Sequence, residues 1–333
     1  MRLSKTISAL FLSFVILFAS LTQANAKRLH AAIADWTGGI ITCEVAVGIL
    51  EREMGYKIKQ TVFPSGTGLW EAIAAGELDF ACESWPSYAE ADDVMFNEDL
   101  IYDGKVVKSY KGDGTVDLLG TTGIIGMSDY WIPRYAAEKF GIKSWRDLNK
   151  HKKEFATIET GGKGRLIGCP VAGWNFHDQK RLDLLGIDFQ ADELGTEAAA
   201  VAEAKAAYMR KEPFLLYLWS PHWFFGAYEM VGVQLPDHKT CDSFTEANNW
   251  KDCGTAAWPA TGWAKDYTMN YGNPATFASA EHADAKKFFE KMSLQNIDQA
   301  KMLVEVDIKK RDVKEVVNEW LDNNPDKWKS WLP

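Results

Sequence analysis

Pro213-Phe-Leu-Leu-Tyr-Leu-Trp-Ser-Pro-His-Trp223 decides how this chain is read. Residues 213–218 form a short apolar run, the pattern of a buried strand. The run ends in Trp219 and Trp223, which bracket a Ser-Pro turn. Buried strands ordinarily end in small or polar turn residues. Large rings at a strand's carboxyl end either pack a core or face the crevice where open α/β sheets bind ligands. This segment alone leaves both readings open.

The flanking sequence supplies the context. Residues 28–34 read as a first strand, followed by the loop Asp35-Trp36-Thr37-Gly38-Gly39. From Ile40 to Met54, residues Ile40, Cys43, Val47, Leu50 and Met54 share one helical face, and Gly55 stops the helix. A strand is expected at 57–63, a short helix at 69–75, and a third strand at 78–83 that runs into Trp85-Pro86. This βαβαβ rhythm implies a parallel sheet. The Gly-punctuated run Thr121–Met127 reads as a crossing between domains, and Ser144 as a helix N-cap. A short strand is expected at 155–158. Leu166 to Gly173 reads as a strand end and Gly/Pro turn leading to Trp174. A long Ala-rich helix is expected over 193–210, and further helices over 280–292, 295–303 and 311–331.

The 333 residues carry a net charge of −9, an acidic balance that argues against nucleic-acid binding. The first 26 residues have the form of a secretory signal. Arg2 and Lys5 precede an apolar stretch, and Ala24-Asn25-Ala26 is an A-x-A cleavage site. The apolar stretch is short for a membrane span. Five cysteines suit an oxidising compartment. Cys241 and Cys253 flank a polar stretch and suggest a disulfide-closed loop; Cys43 and Cys82 either pair or are simply buried. No Cys-x-x-Cys, zinc spacing, Walker loop, G-x-S-x-G or H-E-x-x-H pattern occurs, so neither metal nor cofactor is expected.

Three strand ends therefore present Trp85, Trp174 and Trp219, and Trp36 follows the first strand. Loops at strand carboxyl ends share one sheet edge, so the repetition favours an aromatic ligand box over coincidental packing. Indole faces attract cations, each contributing about 0.5–2 kcal/mol. A quaternary ammonium has no N–H donor, so ring faces are its natural partners. Sugars also bind Trp and remain open at this point, with Asp35, Glu83 and Asn175 close to the box positions. The backbone amides of Asn175 and Phe176, at a helix start, suit an anionic group. Glu83 reads as a polar strand end or as a carboxylate of the cage. His222, between two tryptophans, is a further candidate.

The segments Ser65–Gly68 to Trp85-Pro86, Gly168–Trp174 and Pro213–Trp223 together resemble the glycine betaine/proline betaine-binding proteins of ABC importers. The resemblance runs from about residue 28 to the C-terminus. It implies an α/β, two-lobe periplasmic binding protein of type II topology, with the ligand in the inter-lobe cleft. Residues 27–121 plus 236–333 would form lobe I, and 122–235 lobe II. In that family, tryptophans at the positions of Trp85, Trp174 and Trp219 surround the ammonium methyls, and the amides of Asn175 and Phe176 hold the carboxylate. Related choline binders place a Trp where Trp36 stands. The chain departs from the pattern in having Ala89 where a carboxylate-gripping His can stand. It also has only Cys169 of a disulfide flanking Trp174.

The expected function is capture of a methylated onium osmolyte, foremost glycine betaine or proline betaine, for delivery to an inner-membrane ABC permease. Choline, dimethylsulfoniopropionate and trimethylamine N-oxide are alternative ligands of the same fold. The protein would be a periplasmic monomer with no catalytic residues. From a different class, a secreted hydrolase or lyase would use Asp35 and Glu83. A sensor that presents its ligand to a receptor is a third reading.

Overall fold

The computed structural model describes residues 26–86, 90–168, 177–239 and 259–333. Eleven strands are present among them. They are β1 (Arg28–Ile33), β2 (Lys57–Val62), β3 (Phe80–Ser84), β4 (Asp99–Tyr102), β5 (Lys105–Ser109), β6 (Asp117–Pro133), β7 (Gly164–Gly168), β8 (Phe189–Glu193), β9 (Leu215–Ser220), β10 (Met230–Gly232) and β11 (Asp266–Gly272). Nine of them form one sheet in the order β2-β1-β3-β11-β6-β9-β7-β8, with β10 also paired to β6. β4 and β5 make a separate hairpin.

The βαβ units produce the parallel pairs β1–β2, β1–β3, β7–β8 and β7–β9. β6 and β11 enter antiparallel, so the sheet is mixed rather than all parallel. The 17-residue β6 joins the two halves. Its first part, up to Gly126, pairs with β11; from Met127 onward it pairs with β9 and β10. The glycine-punctuated run read as a crossing segment is this strand.

The helix Thr37–Met54 ends at Gly55 in the left-handed conformation. Its apolar face packs with Phe288, Val317 and Leu321 from the C-terminal helices to form the core of the β1–β3 half. The other half has its own core around Leu166, Leu182, Leu215 and Phe224. Ser144 caps the following turn through a capping box with Asp147.

Two expectations are corrected. Residues 155–158 are not a strand: a 3-10 helix over Asn149–Phe155 leads into a turn, and the strand is β7. Nor does the Ala-rich helix begin at Glu193. That residue ends β8, and the helix Glu197–Met209 starts where the Thr196 side chain accepts from the Ala199 amide. Cys43 and Cys82 form a disulfide, tying the first helix to β3. The disulfide expected between Cys241 and Cys253 falls outside the described residues. Among the described residues, no helix is long and apolar enough to cross a membrane.

Candidate functional site

Trp36, Glu83 and Trp85 meet where β1 and β3 end. Trp36 is the extended residue that opens the helix Thr37–Met54. Glu83 lies within β3 and is 1% exposed, with φ of +57°, a conformation rare for a residue with a Cβ. Such a residue persists where its surroundings over-determine it. Here the surroundings are four side-chain donors. Oε1 accepts from the indole Nε1 of Trp36 and of Trp85, each at 3.3 Å. Oε2 accepts from the Gln299 amide at 2.7 Å and from the Thr42 hydroxyl. The Gln299 nitrogen also reaches the Gly38 carbonyl at 3.1 Å. Burial pushes the Glu83 carboxyl up from its ordinary value, and the hydrogen bonds from Thr42, the two indoles and Gln299 pull it partly back.

Glycines make room for the rings. A Cβ on Gly39 would lie 2.6 Å from the Trp36 indole, and one on Gly126 only 2.1 Å from Trp85 Cζ3. Trp85 therefore rests directly on β6 at the residue where that strand changes partners. Trp219 arrives at the same place from the other half, since it pairs with Ser128, two residues along β6. Trp36 and Trp85 accordingly belong to one apolar cluster with Tyr130, Tyr217, Trp219 and Trp263, rather than to the core of their own half. Of the residues the sequence singled out, Glu83 joins Trp36 to Trp85 by hydrogen bonds, His222 touches Trp219, and the three tryptophans share one apolar cluster. Trp174, Asn175 and Phe176 lie outside the described residues.

His222 braces Trp219. Its ring meets Trp219 edge-on at 5.4 Å and stacks on Trp223 at 5.6 Å. Nδ1 accepts from the Phe224 amide, so the proton sits on Nε2, which donates to Glu197 at 2.9 Å. Asp307 faces this pair and accepts from the Thr37 hydroxyl at 3.0 Å. Burial, and then the negative charge of Glu197, push its carboxyl up.

Behind the rings lies an arrangement the sequence did not signal. Fully buried Arg181 places its guanidinium 3.6 Å from the centroid of the Trp263 ring. Its Nη1 lies 3.3 Å from Asp178 Oδ1 and from the Tyr130 hydroxyl, and its Nε donates to the Thr261 carbonyl. Trp263 packs on Tyr217, which packs on Trp219. Thr42 and Gln299 were also missed. The paired glycines 38–39 and Gly126 were the available signals.

The two carboxylates considered for hydrolysis do not form an acid–base pair. Asp35 is exposed and accepts from Ser65, while Glu83 is occupied by four donors. Among the described residues no group of His, Cys, Asp and Glu could hold a metal ion.

Known proteins share this architecture. The chain is 25% identical to a trimethylamine N-oxide-binding protein of Pelagibacter ubique, over 98% of each chain. In fold it resembles the glycine betaine/L-proline-binding protein ProX of Borrelia burgdorferi, with a TM-score of 0.65, 18% identity and 92% and 97% of the two chains covered. It likewise resembles lactococcal OpuAC complexed with glycine betaine, with a TM-score of 0.62, 15% identity and 92% and 100% covered. These likenesses establish the two-lobed binding-protein fold. The substrate binding domain of ABC-type glycine betaine transport systems matches residues 27–323, and the chain belongs to that family of transport proteins, not enzymes.

Proposed function

We propose that this protein captures a small methylated onium compound between Trp36 and Trp85 on one side and Trp219 on the other, and delivers it to an ABC permease. The observation that carries the reading is that these three tryptophans belong to one apolar cluster drawn from both halves of the sheet, with Trp85 packed on Gly126 and Trp219 in register with Ser128 where β6 changes partners. Three indole faces contribute about 0.5–2 kcal/mol each, at most about 6 kcal/mol, so micromolar binding, which needs about 8 kcal/mol, calls for further contacts. Trp174 would complete the enclosure, and the amides of Asn175 and Phe176 would hold an anionic group. His222 supports Trp219 rather than touching the ligand. The two lobes, 27–121 plus 236–333 and 122–235, close over the ligand, which stabilises the closed form by contacting both. The first 26 residues direct export to the periplasm, where the mature protein acts as a monomer.

Glycine betaine or proline betaine is the first reading, supported by the family. Trimethylamine N-oxide is the second, supported by the end-to-end match to a protein named for binding it. Titration calorimetry with glycine betaine, proline betaine, choline, dimethylsulfoniopropionate and trimethylamine N-oxide tests both. At least one should bind in the micromolar range. If none binds below about millimolar, the onium reading is lost. The ranking within the panel decides between the two ligands.

A further inference from the structure

Glu83 is a buried carboxylate whose donors are all neutral: two indole N–H groups, a hydroxyl and an amide. A carboxylate offers about four acceptor positions. All are taken, so Glu83 has no lone pair left for a ligand hydrogen bond. A buried carboxylate is ordinarily compensated by a cation. The other buried carboxylate of the aromatic cluster, Asp178, has Arg181. What Glu83 has instead is the N–H edge of two tryptophans, one of which, Trp85, rests its ring on the crossing point of β6.

Resting on the onium reading above, we infer that Glu83 is the positioning and selectivity residue of the site. It locks both indoles by their N–H groups and makes them selective for a cation, with the bound onium as its counter-ion. A charged acceptor on an indole N–H strengthens that hydrogen bond and pushes electron density into the ring. The ring face then attracts a cation more strongly, while its dispersion contact with an uncharged group of the same shape is little changed. Thr42 and Gln299 hold the opposite oxygen, and the Cys43–Cys82 disulfide joins the residues adjacent to Thr42 and Glu83. The carboxylate is thereby fixed from the first helix, β3 and the C-terminal region together. Glu83 thus acts through Trp36 and Trp85 and does not itself touch the ligand.

The test compares each onium with its carbon isostere: glycine betaine with 3,3-dimethylbutanoate, choline with 3,3-dimethylbutan-1-ol, trimethylamine N-oxide with tert-butanol. For the tightest onium of the three, affinity is measured by calorimetry and that of its isostere by competition. Wild type should favour the onium by at least about 100-fold, since two strengthened faces of about 2 kcal/mol each allow roughly that ratio and more. In Glu83→Gln this preference should fall at least tenfold, with cooperative thermal unfolding and the near-ultraviolet tryptophan spectrum retained. Gln299→Lys, which sets a cation against Oε2, should produce the same fall and serves if Glu83→Gln does not fold. A preference unchanged in the folded variants, whether both affinities drop together or neither drops, overturns the inference. Wild type that binds none of the onium compounds would instead overturn the proposed function.

Discussion

Two buried carboxylates sit on either side of the strand that joins the halves of this molecule, and they are held in opposite ways. Asp178 pairs with Arg181 at 3.3 Å and accepts from the Tyr130 hydroxyl at 2.7 Å. Its cation in turn lies over the Trp263 ring. Glu83 accepts only neutral donors, two of them tryptophan edges. Carboxylate, cation and indole are thus all internal on one side. On the other side the protein contributes the carboxylate and the indoles. The first arrangement is a closed structural unit that supports the cluster under Trp219. The second is chemically complete only with a cation from outside, which is what a transport protein for onium compounds requires.

The largest expected effect separates the two by stability. Arg181→Met would remove the guanidinium beside buried Asp178, and breaking a buried pair costs about 3–5 kcal/mol. Glu83→Gln removes a charge that has no internal counter-cation but turns one acceptor into an N–H group facing donors, so it should cost about 1–2 kcal/mol, less than Arg181→Met. Urea unfolding of the two variants checks the contrast, and equal losses would erase it. Binding should separate the same regions in the reverse direction. Trp219→Ala removes one face of the site and should weaken onium binding by about 30-fold or more, a loss of about 2 kcal/mol. Trp263→Ala should destabilise the fold by about 3–5 kcal/mol, as large core deletions do, yet change affinity by less than about threefold. Calorimetry beside unfolding curves reads both, and a Trp219→Ala protein of full affinity would relocate the site.

The tryptophans proposed for the site stand out in the sequence because each lies at or just after a strand whose apolar run is local in sequence. Trp36, Trp85 and Trp219 needed no long-range information beyond the βαβ rhythm. The anchor was not legible. Thr42 and Gln299 lie 41 and 216 residues from Glu83, and only the packing of the C-terminal helices on the first helix brings them together. The same distinction explains the disulfide. Cys43 and Cys82 could be read as paired or buried, because the two, 39 positions apart, meet only through helix-on-strand packing. The error at 155–158 had a local cause. Phe155 is buried, but Ile158 is almost fully exposed, so the apolar residues belong to a turn rather than to a sheet. The helix start at Glu197 was blurred because β8 ends in polar residues that also suit a helix.

A smaller effect probes the anchor itself. Thr42→Val would remove one of two donors to Oε2 and leave a buried acceptor less satisfied, at a cost of about 1–3 kcal/mol. Because Glu83 keeps its charge and both indoles, onium affinity should hold within about threefold. Loss of binding in a folded Thr42→Val protein would mean that the geometry of the anchor matters more than its charge.

The smallest effect is a pH dependence. The folded Glu83 carboxyl is raised by burial above the value near 4.3 of an unfolded chain. The folded state therefore holds this proton more tightly. The stability it contributes is fully present below the unfolded value and is lost as pH rises through the folded one. Asp92 and Asp129, each pushed up to about 7 by burial, add slopes of the same sign, so wild type should lose stability between pH 5 and pH 8. Glu83→Gln should lose less over the same range, and the difference between the two curves isolates Glu83. A bound onium reverses the sign for this one group. Its positive charge favours the ionised carboxylate, so the rise in melting temperature on adding ligand should be larger at pH 8 than at pH 5. Glu83→Gln should show an equal rise at both. Thermal unfolding with and without saturating onium at the two pH values measures this directly. A wild-type ligand shift that does not grow with pH would mean that the cation and Glu83 are not coupled.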